Sequence, residues 1–230
     1  TINATIEGTD ISNSESFTYE TTRPSMTITA TGVNSGDTTN DATLSLTFTS
    51  SKATTDFIKD DITTTNGSLS AFIPSGDGLV YTATFTPSGD GECTIIVNEN
   101  TFNDAAGNGN TVSAQFTWTS DRTPATLNEN TLIGTTNNQT PSYTFTSDKA
   151  GTITSSLTFG GNTNAVNGEN TITFSSLGDG SYTDETIIVT DAVGNVATLN
   201  ISQFTIDTIR PSMTITATGV NSGDTTNDAT

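Results

Sequence analysis

Residues Arg210 to Thr230 repeat Arg23 to Thr43 letter for letter, as RPSMTITATGVNSGDTTNDAT. Text that restarts 187 residues further on is the mark of a tandem array, in which each repeat is a small unit strung beside its neighbours. The chain therefore reads as a window of such an array, built for reach and repetition.

A second, degenerate period is nested inside the first. TFTSSKA at Thr47 to Ala53 returns as TFTSDKA at Thr144 to Ala150, and FTPSGDG at Phe85 to Gly91 returns as FSSLGDG at Phe174 to Gly180. TIIV at Thr94 to Val97 returns at Thr186 to Val189, and DAAGN at Asp104 to Asn108 returns as DAVGN at Asp191 to Asn195. Four landmarks in one order make the two stretches homologous units. Joints are marked by Phe17-Thr-Tyr19, Phe116-Thr-Trp118 and Phe204-Thr-Ile206. Each is followed by an acid, an arginine and a proline: Glu20, Arg23 and Pro24; Asp121, Arg122 and Pro124; Asp207, Arg210 and Pro211. Proline lacks an N–H and restricts the residue before it, so it suits a linker better than the interior of a ladder. The expected division is 1–21, the tail of a preceding unit; 22–121 and 122–208, two complete units of ordinary domain size; and 209–230, the beginning of the next repeat.

Alternation fixes the secondary structure. Leu44, Leu46 and Phe48 alternate with Ser45, Thr47 and Thr49, and Tyr81, Ala83 and Phe85 with Thr82, Thr84 and Thr86. That is the period of a half-buried strand, and Met26/Ile28/Ala30, Ala114/Phe116/Trp118 and Tyr143/Phe145 repeat it. Threonine, nearly a quarter of the residues, is β-branched and covers the wet face of a sheet without adding charge. Turn signals lie between the runs: Asn66-Gly67, Ser75-Gly76-Asp77-Gly78, Gly89-Asp90-Gly91, Asn167-Gly168 and Gly178-Asp179-Gly180. The expectation is all-β: tandem Greek-key sandwiches of about seven strands each, arranged as an extended rod. Each core is expected to be thin, with one or two aromatics per layer, and Trp118, Tyr19, Phe48 and Phe85 fall at strand positions that read as buried. Cys93 has no partner in the chain and reads as a small apolar strand residue.

Charge excludes whole classes of function. The net charge is −19, from 25 acids and six bases, and a polyanion repels nucleic acid and anionic lipid while attracting cations. No apolar run reaches membrane-spanning length. Without histidine there is no Ser-His or Cys-His pair and no imidazole metal ligand. The acid pairs Asp60-Asp61 and Asp184-Glu185 point to opposite faces of a strand, so neither can flank a glycosidic bond. An enzyme is not expected.

The ordered landmarks, a Gly-Asp-Gly turn, DAAGN or DAVGN ahead of the final strand and the Arg/Pro linker, resemble the bacterial Ig-like repeats of giant cell-surface adhesins and biofilm proteins. LGDGSYTDETIIVTDAVGN at Leu177 to Asn195 lies closest to that pattern. The resemblance implies an extracellular stalk of rod-like domains that holds a binding tip away from the cell, partnered by neighbouring repeats. It also implies calcium at domain junctions, as in many relatives, although the joints here carry fewer acids than many of those linkers. The candidate ligands are Asp90, Asp104, Asn108 and Asp121 in the first unit, expected at one end of the sandwich, and Asp179, Asp191, Asn195 and Asp207 in the second. The same side chains cap their own turns equally well, and both readings stand at this stage.

Arg23, Arg122 and Arg210 are expected to fix the angle between units, by pairing with Glu20, Asp121, Asp207 or an acid of the next domain. Lys52 and Lys149 share one position after a strand, but their surroundings do not match the surface domains that form Lys–Asn isopeptide bonds. Asn3, Asn66, Asn138 and Asn200 stand in glycosylation sequons, which leaves attached glycans open. Two alternatives accompany the stalk. One is a filament whose copies join by strand addition. The other is a lectin-like module, which needs a cluster of aromatics on loops.

Overall fold

The structure, a computed structural model, describes residues 18–216 together with 218, 222, 223 and 225. Phe17, the rest of the segment 1–17 and part of the recurring segment 209–230 lie outside the described residues. The described residues form strands and turns, with a single helical turn at Lys59–Asp61.

The strands of the first unit are β1 (Met26–Ala30), β2 (Thr38–Thr39), β3 (Leu44–Ser50), β4 (Ile62–Thr65), β5 (Gly67–Leu69), β6 (Ile73–Pro74), β7 (Val80–Pro87), β8 (Gly91–Val97) and β9 (Phe116–Ser120). One sheet runs β1-β3-β7-β5, with β6 also on β7, and the other runs β2-β9-β8-β4. Leu46 faces Ala83 and Phe48 faces Tyr81 across β3 and β7, while Cys93 faces Trp118 across β8 and β9. The alternating side chains of both sheets meet in between: Leu46, Phe48, Phe85, Cys93, Ile95 and Val97 have no exposed surface. The Gly89-Asp90-Gly91 turn carries the chain from β7 in one sheet to β8 in the other, an arch between layers rather than a hairpin.

The second unit contains β10 (Leu127–Glu129), β11 (Thr135–Thr136), β12 (Ser142–Ser147), β13 (Gly151–Ser155), β14 (Phe159–Gly160), β15 (Asn164–Ala165), β16 (Gly168–Phe174), β17 (Gly180–Tyr182), β18 (Thr186–Thr190), β19 (Val196–Asn200) and β20 (Phe204–Ile206). They pair as β10-β12-β16-β14, β15-β13-β18-β19 and β11-β20-β17. Tyr143, Phe145, Ile172, Phe174, Ile187, Val189, Phe204 and Ile206 form its buried layer. Among the described residues the first unit extends to Ala125 and also takes in Thr190–Ala197, while the second comprises Thr126–Val189 and continues from Thr198. The DAVGN turn groups with the first unit because it bonds the backbone at Asp121.

Three expectations about the core are corrected. Tyr19 is 80% exposed, because it precedes the first strand and no sheet covers it. In the run Ala114/Phe116/Trp118 it is Ser113 that is buried in place of Ala114, its Oγ accepting the Val97 N–H, and the strand begins only at Phe116. The first core is richer in aromatics than expected: Phe57, Phe72 and Phe102 fold in from outside the strands and join Phe48 and Tyr81, with neighbouring ring centroids 5.1 to 6.1 Å apart. Cys93 is buried on β8, and that burial pushes its thiol pKa up.

Candidate functional site: the joint and the turn that holds it

The DAAGN turn is built by one carboxylate. Asp104 Oδ1 accepts the backbone N–H groups of Ala106 (3.0 Å) and Asn108 (2.8 Å), and the Asp104 N–H donates to the Asn108 carbonyl (3.1 Å). Gly107 sits at φ +83°, where a side chain would be strained. The closed turn aims the Asn108 amide outward. Its Nδ2 donates both to Asp104 Oδ2 (3.1 Å) and to the main-chain carbonyl of Glu20 in the joint (3.1 Å).

DAVGN repeats this atom by atom. Asp191 Oδ1 accepts Val193 N–H (3.1 Å) and Asn195 N–H (2.9 Å), and Gly194 has φ +94°. Asn195 Nδ2 donates to Asp191 Oδ2 (2.9 Å) and to the carbonyl of Asp121 (3.0 Å), which draws the turn into the first compact unit. Two successive joints are therefore held at a backbone carbonyl by the same asparagine.

The Gly-Asp-Gly turns hold the other side of the joint. Asp90 Oδ1 accepts the Arg122 N–H (2.8 Å) and its Oδ2 the Thr123 hydroxyl, while Asp179 Oδ1 accepts the N–H (3.0 Å) and hydroxyl (2.8 Å) of Thr208. The peptide group between Asp121 and Arg122 is thus bonded at both ends, its C=O to Asn195 and its N–H to Asp90. The backbone N–H groups of Asp121 and Asp207 donate to Thr39 (3.0 Å) and Thr136 (2.9 Å), and the Asp207 carboxylate caps Ile209 N–H (3.0 Å).

Lys52 closes the first joint. Its ammonium donates to Asp104 Oδ2 (3.0 Å), to Glu20 Oε1 (3.1 Å) and to the Thr22 carbonyl. Burial alone would lower the lysine pKa, but hydrogen bonds to Asp104 and Glu20 outweigh it and raise the value above the ordinary one. The Asn108 side chain, with backbone amides and Lys52, holds the Asp104 carboxyl well below the usual range. Lys52 therefore meets Asp104 as an ion pair, at the same carboxylate oxygen that accepts from the Asn108 amide.

Residues 20–119 match one protein family and residues 129–208 another, each described as a bacterial Ig-like domain. The chain is a tandem of bacterial Ig-like domains. A comparison with curated proteins found no match. Among solved structures, the Yersinia pseudotuberculosis adhesin InvE is similar at 18% identity and a TM-score of 0.32, over 78% of this chain and 58% of that one. The N-terminal part of the bacterial S-layer protein SbsC is similar at 14% identity and a TM-score of 0.31, over 81% of this chain and 44% of that one. The chain thus spans between two fifths and three fifths of those two proteins.

Within the first Ig-like domain the four acids and amides expected at one end separate into two places. Asp90 precedes β8 and Asp104 follows its far end, so Asp104 and Asn108 gather with Glu20 and Lys52, while Asp90 gathers with the 121–123 backbone. Among the described residues no three His, Cys, Asp or Glu side chains are placed to hold a metal ion. The donor set at Asp104 does not fit calcium, which needs six to eight oxygens: both carboxylate oxygens face N–H donors, and one faces an ammonium.

Arg23 also acts differently from expectation. Arg23 Nε donates to the Gly109 carbonyl (2.7 Å), and its Nη2 to Asn100 Oδ1 (2.6 Å) and the Asn110 carbonyl, with Glu99 3.6 Å from Nη1. Its fork therefore fastens the joint to the loop 99–110 of its own Ig-like domain, and Glu20 is left to Lys52. Pro24, buried just after it, accepts the Thr111 N–H (2.8 Å). Arg122 reaches the Pro87 carbonyl (3.4 Å). Pro124 and Pro211 are exposed linker residues, and Arg210 stands with Pro211 outside any strand.

Sequence reasoning missed Lys52 as the counter-ion of the joint. It also missed Asn110, which is fully buried and bonds Thr101 N–H (2.8 Å), Phe102 N–H (3.0 Å) and the Asn98 carbonyl (2.7 Å). Recurrence of the lysine after both TFTS strands was the signal available for the first; a lone asparagine offered none for the second. Asn66, one of the sequon residues, is half-buried and donates to the Gly89 carbonyl (3.1 Å).

Proposed function

We propose that the chain is a structural spacer of a cell-surface protein: Ig-like domains strung into a rod outside the cell, with no catalysis of its own. The observation that carries this is the asparagine lock at two successive joints, Asn108 on Glu20 and Asn195 on Asp121. Both clusters bond the backbone of the joint segments, at Glu20 and at Asp121. Its partners are then neighbouring repeats, and its net charge of −19 keeps parallel rods apart at low salt.

The lectin-like alternative needs hydrogen-bonding groups beside exposed rings. A recess of about 350 Å³ beside Phe57, Phe72 and Tyr81 is lined almost wholly by apolar atoms, which does not favour a sugar.

Small-angle scattering of the 230-residue chain tests the spacer. A rod gives a radius of gyration well above the ~17 Å of a single globule of this length. A value near that figure would overturn it.

A further inference from the structure

The two locking asparagines make the same bonds and differ in the residue that follows. Asn108 precedes Gly109, whereas Asn195 precedes Val196. Glycine is required at 109 by packing: a Cβ there would lie 2.6 Å from Asn100 Oδ1, the oxygen that accepts from Arg23. Val196 is 54% exposed, and its side chain meets no such limit.

Asparagine is a thermolabile residue, and a following glycine opens the route by which it modifies itself. The backbone nitrogen of the next residue attacks the side-chain Cγ. The new N–Cγ bond closes a five-membered succinimide, the Cγ–Nδ2 bond breaks, and ammonia leaves with the proton given up by the attacking N–H. Water then opens the ring to aspartate or isoaspartate, so water is the one reagent consumed. Glycine leaves the approach clear, while the branched Cβ of valine obstructs it. The attacking peptide group at Asn108 is polarised as well, since its C=O accepts the Asp104 N–H (3.1 Å).

Closed, the joint opposes this reaction. Asp104 Oδ2 (3.1 Å) and the Glu20 carbonyl (3.1 Å) both hold Nδ2, which keeps the amide from swinging onto the Gly109 nitrogen. The Glu20 end is the one that can yield. Glu20 is exposed and lies in no strand, and its carboxylate is steadied by Lys52 (3.1 Å) and the Thr22 N–H (2.7 Å).

We infer that Asn108 is a modification site that works as a one-way latch: the amide persists while the joint is closed, and converts to aspartate or isoaspartate once residues 20–22 lift away. The converted joint cannot relock. Its product sets a second carboxylate beside Asp104 and the Glu20 carbonyl, where the Nδ2 donor had been, so acceptor meets acceptor and charge meets like charge. Asn195, buried and followed by valine, keeps its amide. One of the two joints thus records its past openings and the other does not. This goes beyond the spacer, and it rests on the geometry of the lock rather than on the rod.

The test is incubation of the full chain in mildly alkaline buffer, with amide loss at each asparagine followed by peptide mapping and mass spectrometry. Asn167, exposed and followed by Gly168, is the internal reference for an unrestrained pair. Glu20→Ala, altered at an exposed position and so still folding, and Lys52→Met both loosen the joint segment. In each, Asn108 is expected to convert several-fold faster than in wild type, with the Asn167 rate unchanged and Asn195 still an amide. Asn108→Asp, which mimics the product, should melt earlier than wild type and be cut by protease at residues 18–24. Three mapping results overturn the proposal: an Asn108 that stays an amide in both loosened variants after Asn167 has converted, equal Asn108 rates in variants and wild type, or Asn195 converting alongside Asn108. Asn108→Asp with wild-type protease resistance overturns it too. None of these outcomes bears on the scattering test of the spacer, so the two can fail separately.

Discussion

Asn108 donates from Nδ2 to the main-chain carbonyl of Glu20 at 3.1 Å, across 88 residues of sequence, while the same nitrogen holds the Asp104 carboxylate. One amide thus fastens a turn to itself and the turn to the joint. Asn195 does the same for Asp121 at 3.0 Å with less solvent around it.

Asn108→Ala and Asn195→Ala remove that fastening and leave a carboxylate oxygen and a carbonyl short of a donor. The expected cost is about 1–3 kcal/mol, nearer the upper end for the more buried Asn195. Urea denaturation measures it, and limited proteolysis should cut at residues 18–24 in the first variant. Equal stability with an intact joint would contradict the lock.

Acid should weaken the first joint through Asp104. Its pKa is depressed below the ordinary 3.8, first by the Asn108 side chain, then by backbone amides and Lys52. A depressed carboxyl stabilises above its unfolded pKa, and that contribution disappears as pH falls from about 4 through the folded value. Lys52, raised above the ordinary 10.5, contributes below that value and loses its effect as pH climbs past the folded one. Thermal melting of wild type and Asp104→Asn should therefore differ most near neutrality and converge toward pH ~2. A gap constant over that range would remove Asp104 as its source.

Calcium and chelator should leave the melting temperature of the chain unchanged, because the Lys52 ammonium lies between Asp104 and Glu20. Calorimetry with each additive decides this. An upward shift of many degrees with calcium would assign the ion a structural place among the candidate acids.

Gly67→Ala places a Cβ 2.3 Å from Phe85 Cζ and 2.6 Å from the Thr86 carbonyl oxygen. Phe85 is fully buried, with its ring edge-on to Trp118 at 4.8 Å, so neither ring nor backbone can yield freely. The expected loss is about 1–3 kcal/mol, visible as an earlier urea midpoint. Unchanged stability would mean the β5–β7 contact is looser than described.

Cys93 is fully buried and its thiol pKa is raised by desolvation. In folded protein it should resist alkylation and react only as the first domain opens. Labelling that follows urea unfolding of that domain confirms this, and fast labelling in native buffer refutes it.

Much of the fold was legible because apolar alternation leaves a strand few choices about which face to bury. Leu44, Leu46, Phe48, Tyr81, Phe85 and Trp118 all lie where period two puts them. The same rule cannot see side chains that fold in from loops, and Phe57, Phe72 and Phe102 were accordingly invisible. Turn chemistry pointed to Asp104 and Asn108 as residues that matter. It did not reveal their partners, because Glu20 and Lys52 are brought to them by tertiary pairing. The expectation for Arg23 missed for a related reason: its guanidinium lies against its own domain's 99–110 loop, whose carbonyls carry no mark in the sequence.

β2 runs parallel to β9, Thr38 beside Thr119 and Thr39 beside Ser120, and β11 runs parallel to β20 in the same manner. In each domain a strand near the beginning thus lies alongside the last one. Tension between the two ends pulls along these strands, so their rungs are loaded together in shear, whereas a hairpin would unzip one bond at a time. Forced extension is governed by the unfolding rate, and this geometry makes the terminal pair a mechanical clamp that resists when the chain is stretched.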